Sequence, residues 1–106
     1  MLDALRNTSY TFAMIRSFKD KSTAALFVGL APRRLPVEIR KRAREKLDML
    51  HFAVRLDDLL APPANRLEKL SGDRTGQWSI RINAQWRVCF EWHDGEAREV
   101  EIADYH

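Results

Sequence analysis

The last three residues of the chain, Asp104, Tyr105 and His106, set an acid, a phenol and an imidazole side by side after an apolar-alternating run. Chain ends are usually frayed and chemically idle, so this grouping calls for a reason. Near neutral pH an imidazole takes or gives a proton, a carboxylate accepts one, and a tyrosine ring stacks while its hydroxyl orients a polar group. Arg81 and Arg87 lie upstream, and a guanidinium grips phosphate oxygens bidentately. These types suit cleavage of RNA by attack of a ribose 2′-hydroxyl. That reaction needs a base, positive charge at the phosphorane, and an acid for the leaving 5′-oxygen. The α-carboxylate on His106 favours imidazolium and makes a better acid. Residue types alone also allow, and favour, a plain structural tail.

Other chemistries find less support. No Cys/His spacing suits a metal, and neither a glycine-rich phosphate loop nor a G-x-S-x-G elbow is present, so no cofactor is expected. Cys89, the single cysteine, excludes an internal disulfide and fits a reducing cytoplasm. It sits in a strand-like run and reads as a small core residue. His51 reads as a surface or helix-end residue and His93 as a loop residue beside Asp94-Gly95. Trp78, Trp86 and Trp92 share the apolar parity of their runs, which favours core packing over base stacking.

The elements that must position these groups follow from periodicity. A short helix is expected over Asp20 to Val28, stopping at Gly29 with Pro32 beyond. Pro36 suits the first turn of a second helix, whose Ile39, Ala43, Leu47 and Leu50 make one apolar stripe and leave Arg40, Lys41 and Arg44 outside. Asp57 to Asn65 reads as a loop, Asn65 to Leu70 as a strand, and Ser71 to Arg74 as a turn. The apolar period then becomes that of strands: Trp78, Ile80 and Ile82; Trp86, Val88, Phe90 and Trp92; Val100 and Ile102. Asp94-Gly95 marks a two-residue hairpin. Helices first and an antiparallel meander afterwards give an α+β fold, with two N-terminal helices on one sheet face. Parity places Tyr105 with Glu99, Glu101 and Ala103, on the face of Arg81 and Arg87, and the strand is expected to end near Ala103 with the tail curling. Residues 1–13 carry no sustained period and read as an extension or alternative start, leaving one domain over 14–106.

Charge is unevenly spread. Arg33 to Lys46 holds seven cations against two acids, Arg66 to Arg87 five against two, and Glu91 to Asp104 one against six. Thirteen of the eighteen cations are arginine, which suits a polyanionic partner. No apolar run approaches the roughly 18 residues of a membrane span, and no signal-peptide pattern opens the chain. A cytoplasmic protein without a membrane partner is expected.

Three blocks together carry a resemblance: Leu70 to Ile80 (LSGDRTGQWSI), Gln85-Trp86-Arg87 with its apolar strand, and the terminal Asp104-Tyr105-His106. Met14-Ile15-Arg16-Ser17-Phe18 resembles a family N-terminus. Residues 14–106 thereby resemble the HigB-type toxins of bacterial type II toxin–antitoxin modules, the plasmid-maintenance killer proteins of the RelE superfamily. The resemblance implies a RelE-like α+β fold and a metal-independent, ribosome-dependent endoribonuclease that cuts mRNA. It also implies a neutralising helix-turn-helix antitoxin (HigA-like), with operator DNA bound only through the antitoxin complex. It carries an active-site role onto Asp104, Tyr105, His106 and Arg87. For a nuclease of this kind we expect Arg81 to join Arg87 at the phosphorane, with Arg66, Lys69 and Arg74 as phosphate ligands. Glu68 stands where some members have a histidine, and Ser71 where they have a lysine. A carboxylate at 68 can accept the proton in histidine's place, so the base stays open between Glu68 and the tail. Two alternatives stand beside the nuclease: a non-enzymatic, ParE-like gyrase inhibitor, and a degenerate module that only binds antitoxin or represses its operon.

Overall fold

Asp20 opens the first helix because its carboxylate satisfies the amide of Thr23 (3.0 Å) and the Thr23 hydroxyl (2.6 Å). In the computed structural model, which describes residues 15–105, this helix, α1, spans Lys21–Phe27. Gly29 closes it at φ +97, a conformation that favours glycine. Pro36 caps α2, Val37–Phe52, and the stripe of Ile39, Ala43, Leu47 and Leu50 is buried as its spacing predicts. The expected extension 1–13, Met14 and His106 lie outside the described residues.

Four antiparallel strands follow in the order β1-β2-β3-β4: Glu68–Lys69, Trp78–Arg81, Trp86–His93 and Glu96–Asp104. Asp94 and Gly95, at φ 51 and 78, make the expected tight turn between β3 and β4. Ile80, Ile82, Trp86, Val88, Phe90, Val100 and Ile102 turn one sheet face to the helices and form the main core with Leu26, Leu35 and the α2 stripe. Thr23 ties α1 to this sheet by accepting the Ile102 amide at 3.0 Å. The other face carries a smaller cluster of Leu70, Cys89 and Ala103, with Tyr105 against it. Among the described residues no helix is long and apolar enough to cross a membrane.

Several expectations are corrected. The strand expected over Asn65 to Leu70 shrinks to β1, because Asn65 ends a 3-10 turn, Pro63–Asn65, and Arg66 takes a left-handed φ of 45. Leu67 and Leu70 then serve opposite faces, one against each core cluster. The loop expected over Asp57 to Asn65 holds two 3-10 segments, Leu56–Leu60 and Pro63–Asn65, joined through a cis Ala61-Pro62 bond. β4 does not alternate continuously. Ala97 and Val100 are both fully buried, and the register shifts between Cys89 and Glu91, with Glu99 at φ 52. This bulge resets parity, so Tyr105 inherits the face set by Glu101 and Ala103. β4 also runs one residue past the expected end, to Asp104. His93 belongs to the end of β3 rather than to the loop.

The segment after Met14 lies along the outer edge of β4. Ile15 and Phe18 bridge Ala97 and Val100 in parallel, and the Arg16 and Lys19 amides donate to the Ala97 and Val100 carbonyls. Residues of the acidic stretch are partly neutralised here. Glu96 meets Arg16 and Arg98, Glu101 meets Lys19, and the Ser17 hydroxyl donates to Glu99. His51 lies in the last turn of α2, its ring packed against Phe27 and Phe52. Trp86 is buried while Trp78 and Trp92 pack partly buried against the core, and Cys89 is buried.

Candidate nucleolytic face

Residues directly opposite in antiparallel strands share a face, so register decides what meets on the open side of the sheet. Glu68 pairs with Ser79, Ser79 with Cys89, Arg81 with Arg87, and Arg87 with Ala103. Glu68, Ser79, Arg81, Arg87 and Tyr105 thus converge on the face away from the helices.

Arg87 is the centre of the group, with a side chain only 12% exposed. Its Nε donates to the buried Ser79 hydroxyl at 2.6 Å, and its Nη2 donates to the Arg66 carbonyl at 2.8 Å. The left-handed turn at Arg66 aims that carbonyl into the sheet. Glu68 is 56% exposed, with Oε1 3.6 Å from the Arg87 Nη2. The Tyr105 ring centroid lies 5.8 Å from the guanidinium carbon, a cation–π distance. A guanidinium has five N–H donors, and the two hydrogen bonds to Ser79 and Arg66 leave three. Arg87 is therefore rigidly held while still able to grip an oxyanion in a fork.

The tail is placed by Gln85. Its carbonyl accepts the Tyr105 amide at 2.7 Å, and its side-chain Nε2 donates to the Asp104 carboxylate at 3.0 Å. Asp104 pairs with Trp86 in the register and so lies on the helix side, across the sheet from Arg87 and Tyr105. The structure therefore does not bring Asp104 to the arginine face. His106 lies outside the described residues.

The expected phosphate ligands divide. Arg81 stands directly across from Arg87 and has no polar side-chain partner among the described residues. The Arg66 side chain is exposed beside the site. Arg74 is engaged: its Nη1 donates to Gln77 at 2.9 Å and to Glu101 at 3.0 Å. Lys69 pairs with Trp78 and sits 5.9 Å from that ring, on the helix side of β1. It thus faces away from Arg87, because adjacent residues of a strand point to opposite sides.

Three supporting residues escaped the sequence reading. Ser79 is fully buried at a position whose parity with Arg81 and Arg87 was visible. Gln85 stood in the Gln85-Trp86-Arg87 block, with nothing in its spacing to mark it as the tail's anchor. Asn65 is fully buried; it accepts the Lys46 ammonium at 2.6 Å and donates to the Leu59 and Ala61 carbonyls. Those bonds hold the turn that presents Arg66. Burial pushes the Lys46 ammonium below its usual pKa, and the Arg42 charge adds to this while Glu45 opposes it. Among the described residues no group of three or more His, Cys, Asp or Glu comes together as a metal site.

Comparison with known proteins agrees with this architecture. Residues 16–106 match the family model described as the RelE-like toxin of type II toxin-antitoxin system HigB. The chain is 33% identical over 93 residues to Endoribonuclease HigB of Proteus vulgaris, covering 88% of this chain and 100% of that one. It is 40% identical over 85 residues to Toxin HigB-1 of Vibrio cholerae, covering 79% and 90%. The YoeB-YefM complex from Staphylococcus aureus is a structural neighbour at a TM-score of 0.55 and 20% identity, over 89% of this chain and 99% of that chain, a likeness of fold. Over residues 16–106, then, the chain belongs to the HigB-like family of RelE-like toxins from type II toxin–antitoxin systems.

Proposed function

We propose that this toxin is a metal-independent endoribonuclease that cuts mRNA on the translating ribosome, and that an antitoxin neutralises it. The observation that carries the proposal is the Arg87 fork, locked by Ser79 and Arg66 beneath Tyr105 with Glu68 alongside. The name of the Proteus vulgaris relative supports the endoribonuclease activity. The toxin–antitoxin complexes among the structural neighbours support an antitoxin partner, which we take to be a HigA-like helix-turn-helix protein acting in the cytoplasm. The family match favours a nuclease over a gyrase inhibitor.

In this mechanism the scissile phosphate replaces Glu68 against Arg87. The Glu68 carboxylate, more than half exposed, swings outward and accepts the proton of the ribose 2′-hydroxyl. The 2′-oxygen attacks phosphorus, and charge building on the equatorial oxygens meets donors already in position, which spares reorganisation in the transition state. Arg81 adds a second positive charge across the strand pair, and Arg66 steadies a flanking phosphate. Tyr105 stacks on a base beside the cleaved bond. His106 gives its proton to the departing 5′-oxygen, leaving a 2′,3′-cyclic phosphate and a 5′-hydroxyl. Asp104, held by Gln85, positions this tail rather than carrying the proton. Arg74 and Lys69 contribute charge at longer range.

The test is translation-dependent mRNA cleavage by the wild type, by Tyr105→Ala and by a variant lacking His106. Loss of cleavage in both variants is expected. Unchanged cut sites and rates in both would remove the tail from the mechanism.

A further inference from the structure

Beside the arginine face, α2 and the end of β2 enclose a cleft of about 400 Å³ lined by Arg42, Lys46, Ala64, Arg81, Ile82 and Asn83. Three of these residues are cations and none is an acid. None of Arg42, Lys46 and Arg81 forms an ion pair among the described residues. Lys46 is 7% exposed, and its ammonium spends one proton on Asn65 and keeps two. The Asn83 carbonyl oxygen is taken by the Gln85 and Trp86 amides, which leaves its NH2 group to donate. Arg42 makes one long bond to the Ile82 carbonyl, at 3.4 Å. Glu45, the nearest acid to Lys46 in sequence, lines a different groove with Asp48.

A buried Lys46 ammonium with Arg42 and Arg81 beside it, and no acid in the cleft lining, is costly unless an anion fills the cleft. Arg42, Lys46, Arg81 and the Asn83 amide bring spare N–H donors to the cleft lining, which fits the acceptor-only oxygens of a phosphodiester. Arg81 joins this cleft to the proposed reaction centre, since it lies directly across from Arg87. We infer that the Arg42–Lys46–Arg81 cleft is a second phosphate subsite, holding an RNA backbone phosphate next to the one being cleaved. The inference rests on the nuclease reading for its ligand. It adds two residues of α2, Arg42 and Lys46, to the RNA-binding surface.

The test is binding rather than cleavage, so that it stands apart from catalysis. Affinity is measured for a single-stranded 2′-O-methyl RNA oligonucleotide and, separately, for vacant ribosomes, over a series of salt concentrations. Arg42→Gln lies on an exposed helix position and Lys46→Gln keeps a donor for Asn65. Each is expected to weaken RNA binding about tenfold and to lower the salt slope by about one. Weakening on the oligonucleotide assigns the cleft to the substrate strand, and weakening on vacant ribosomes alone assigns it to ribosomal RNA. Unchanged affinity and slope in both arms for Arg42→Gln, or equal competition by polyglutamate, would overturn the subsite. Wild-type cleavage, assayed alongside, reports on the nuclease reading independently of either result.

Discussion

The Nε of Arg87 and the hydroxyl of Ser79 lie 2.6 Å apart, across neighbouring strands, with Ser79 wholly buried. A serine beneath the sheet surface thus orients the guanidinium that would receive the phosphate. Removing it should loosen the fork without removing its charge. Ser79→Ala is expected to cost about 1 kcal/mol of stability and to lower kcat about tenfold or more through misplacement, with KM changed less. Steady-state cleavage together with a thermal melt checks this, and a variant with full kcat would show that Arg87 needs no anchor.

Glu68 has two conceivable duties beside Arg87, as its resting counter-ion and as the base. Glu68→Gln keeps the shape and a hydrogen-bonding oxygen but cannot take the proton. Cleavage should fall by about a hundredfold, while binding of 2′-O-methyl RNA strengthens because a negative charge has left the phosphate's path. Cleavage at the wild-type rate would reduce Glu68 to a counter-ion.

Asn65 holds together the turn that leads into Arg66. Asn65→Ala would leave the Lys46 ammonium and the Leu59 and Ala61 carbonyls without their partner. A loss of about 2–4 kcal/mol is expected, which in a domain of this size lowers Tm by roughly 10–20 °C. Calorimetry of the variant is the direct check. Because the same turn aims the Arg66 carbonyl at Arg87, cleavage below Tm should fall as well.

Cys89 sits in the small core cluster under Tyr105, and burial pushes its thiol pKa up, although Arg74 and Arg87 pull the other way. The reactive thiolate is therefore scarce at neutral pH, and its sulfur is covered. Native protein should resist a thiol-titrating disulfide reagent over a period in which denatured protein reacts fully. Rapid labelling of the native state would contradict this packing.

Much of the fold was legible because two periods dominate it. The α2 stripe, the core tryptophans and the Asp94-Gly95 turn each follow from residue spacing and hold in three dimensions. The parity that set Tyr105 beside Arg87 also holds, since the bulge at Glu99 falls before the last stretch of β4. What spacing could not reveal depends on side chains that bond to distant backbone. Asn65 looks like a strand residue until its buried amide is seen bridging Lys46 and the Leu59 turn. Asp104 looks like a partner of Tyr105 until the strand runs one residue further and turns it across the sheet. Lys46 closes the basic run of α2, yet the helix turns it inward beside Asn65.

The most direct test of the account is the mapping of mRNA ends in a translating extract with wild-type protein and with Arg87→Gln, matched for thermal stability. The wild type is predicted to cut translated mRNA, with 2′,3′-cyclic phosphate ends. Arg87→Gln is predicted to be slower by about a hundredfold or more. Cleavage at equal rate and at the same positions by a folded Arg87→Gln variant would contradict it.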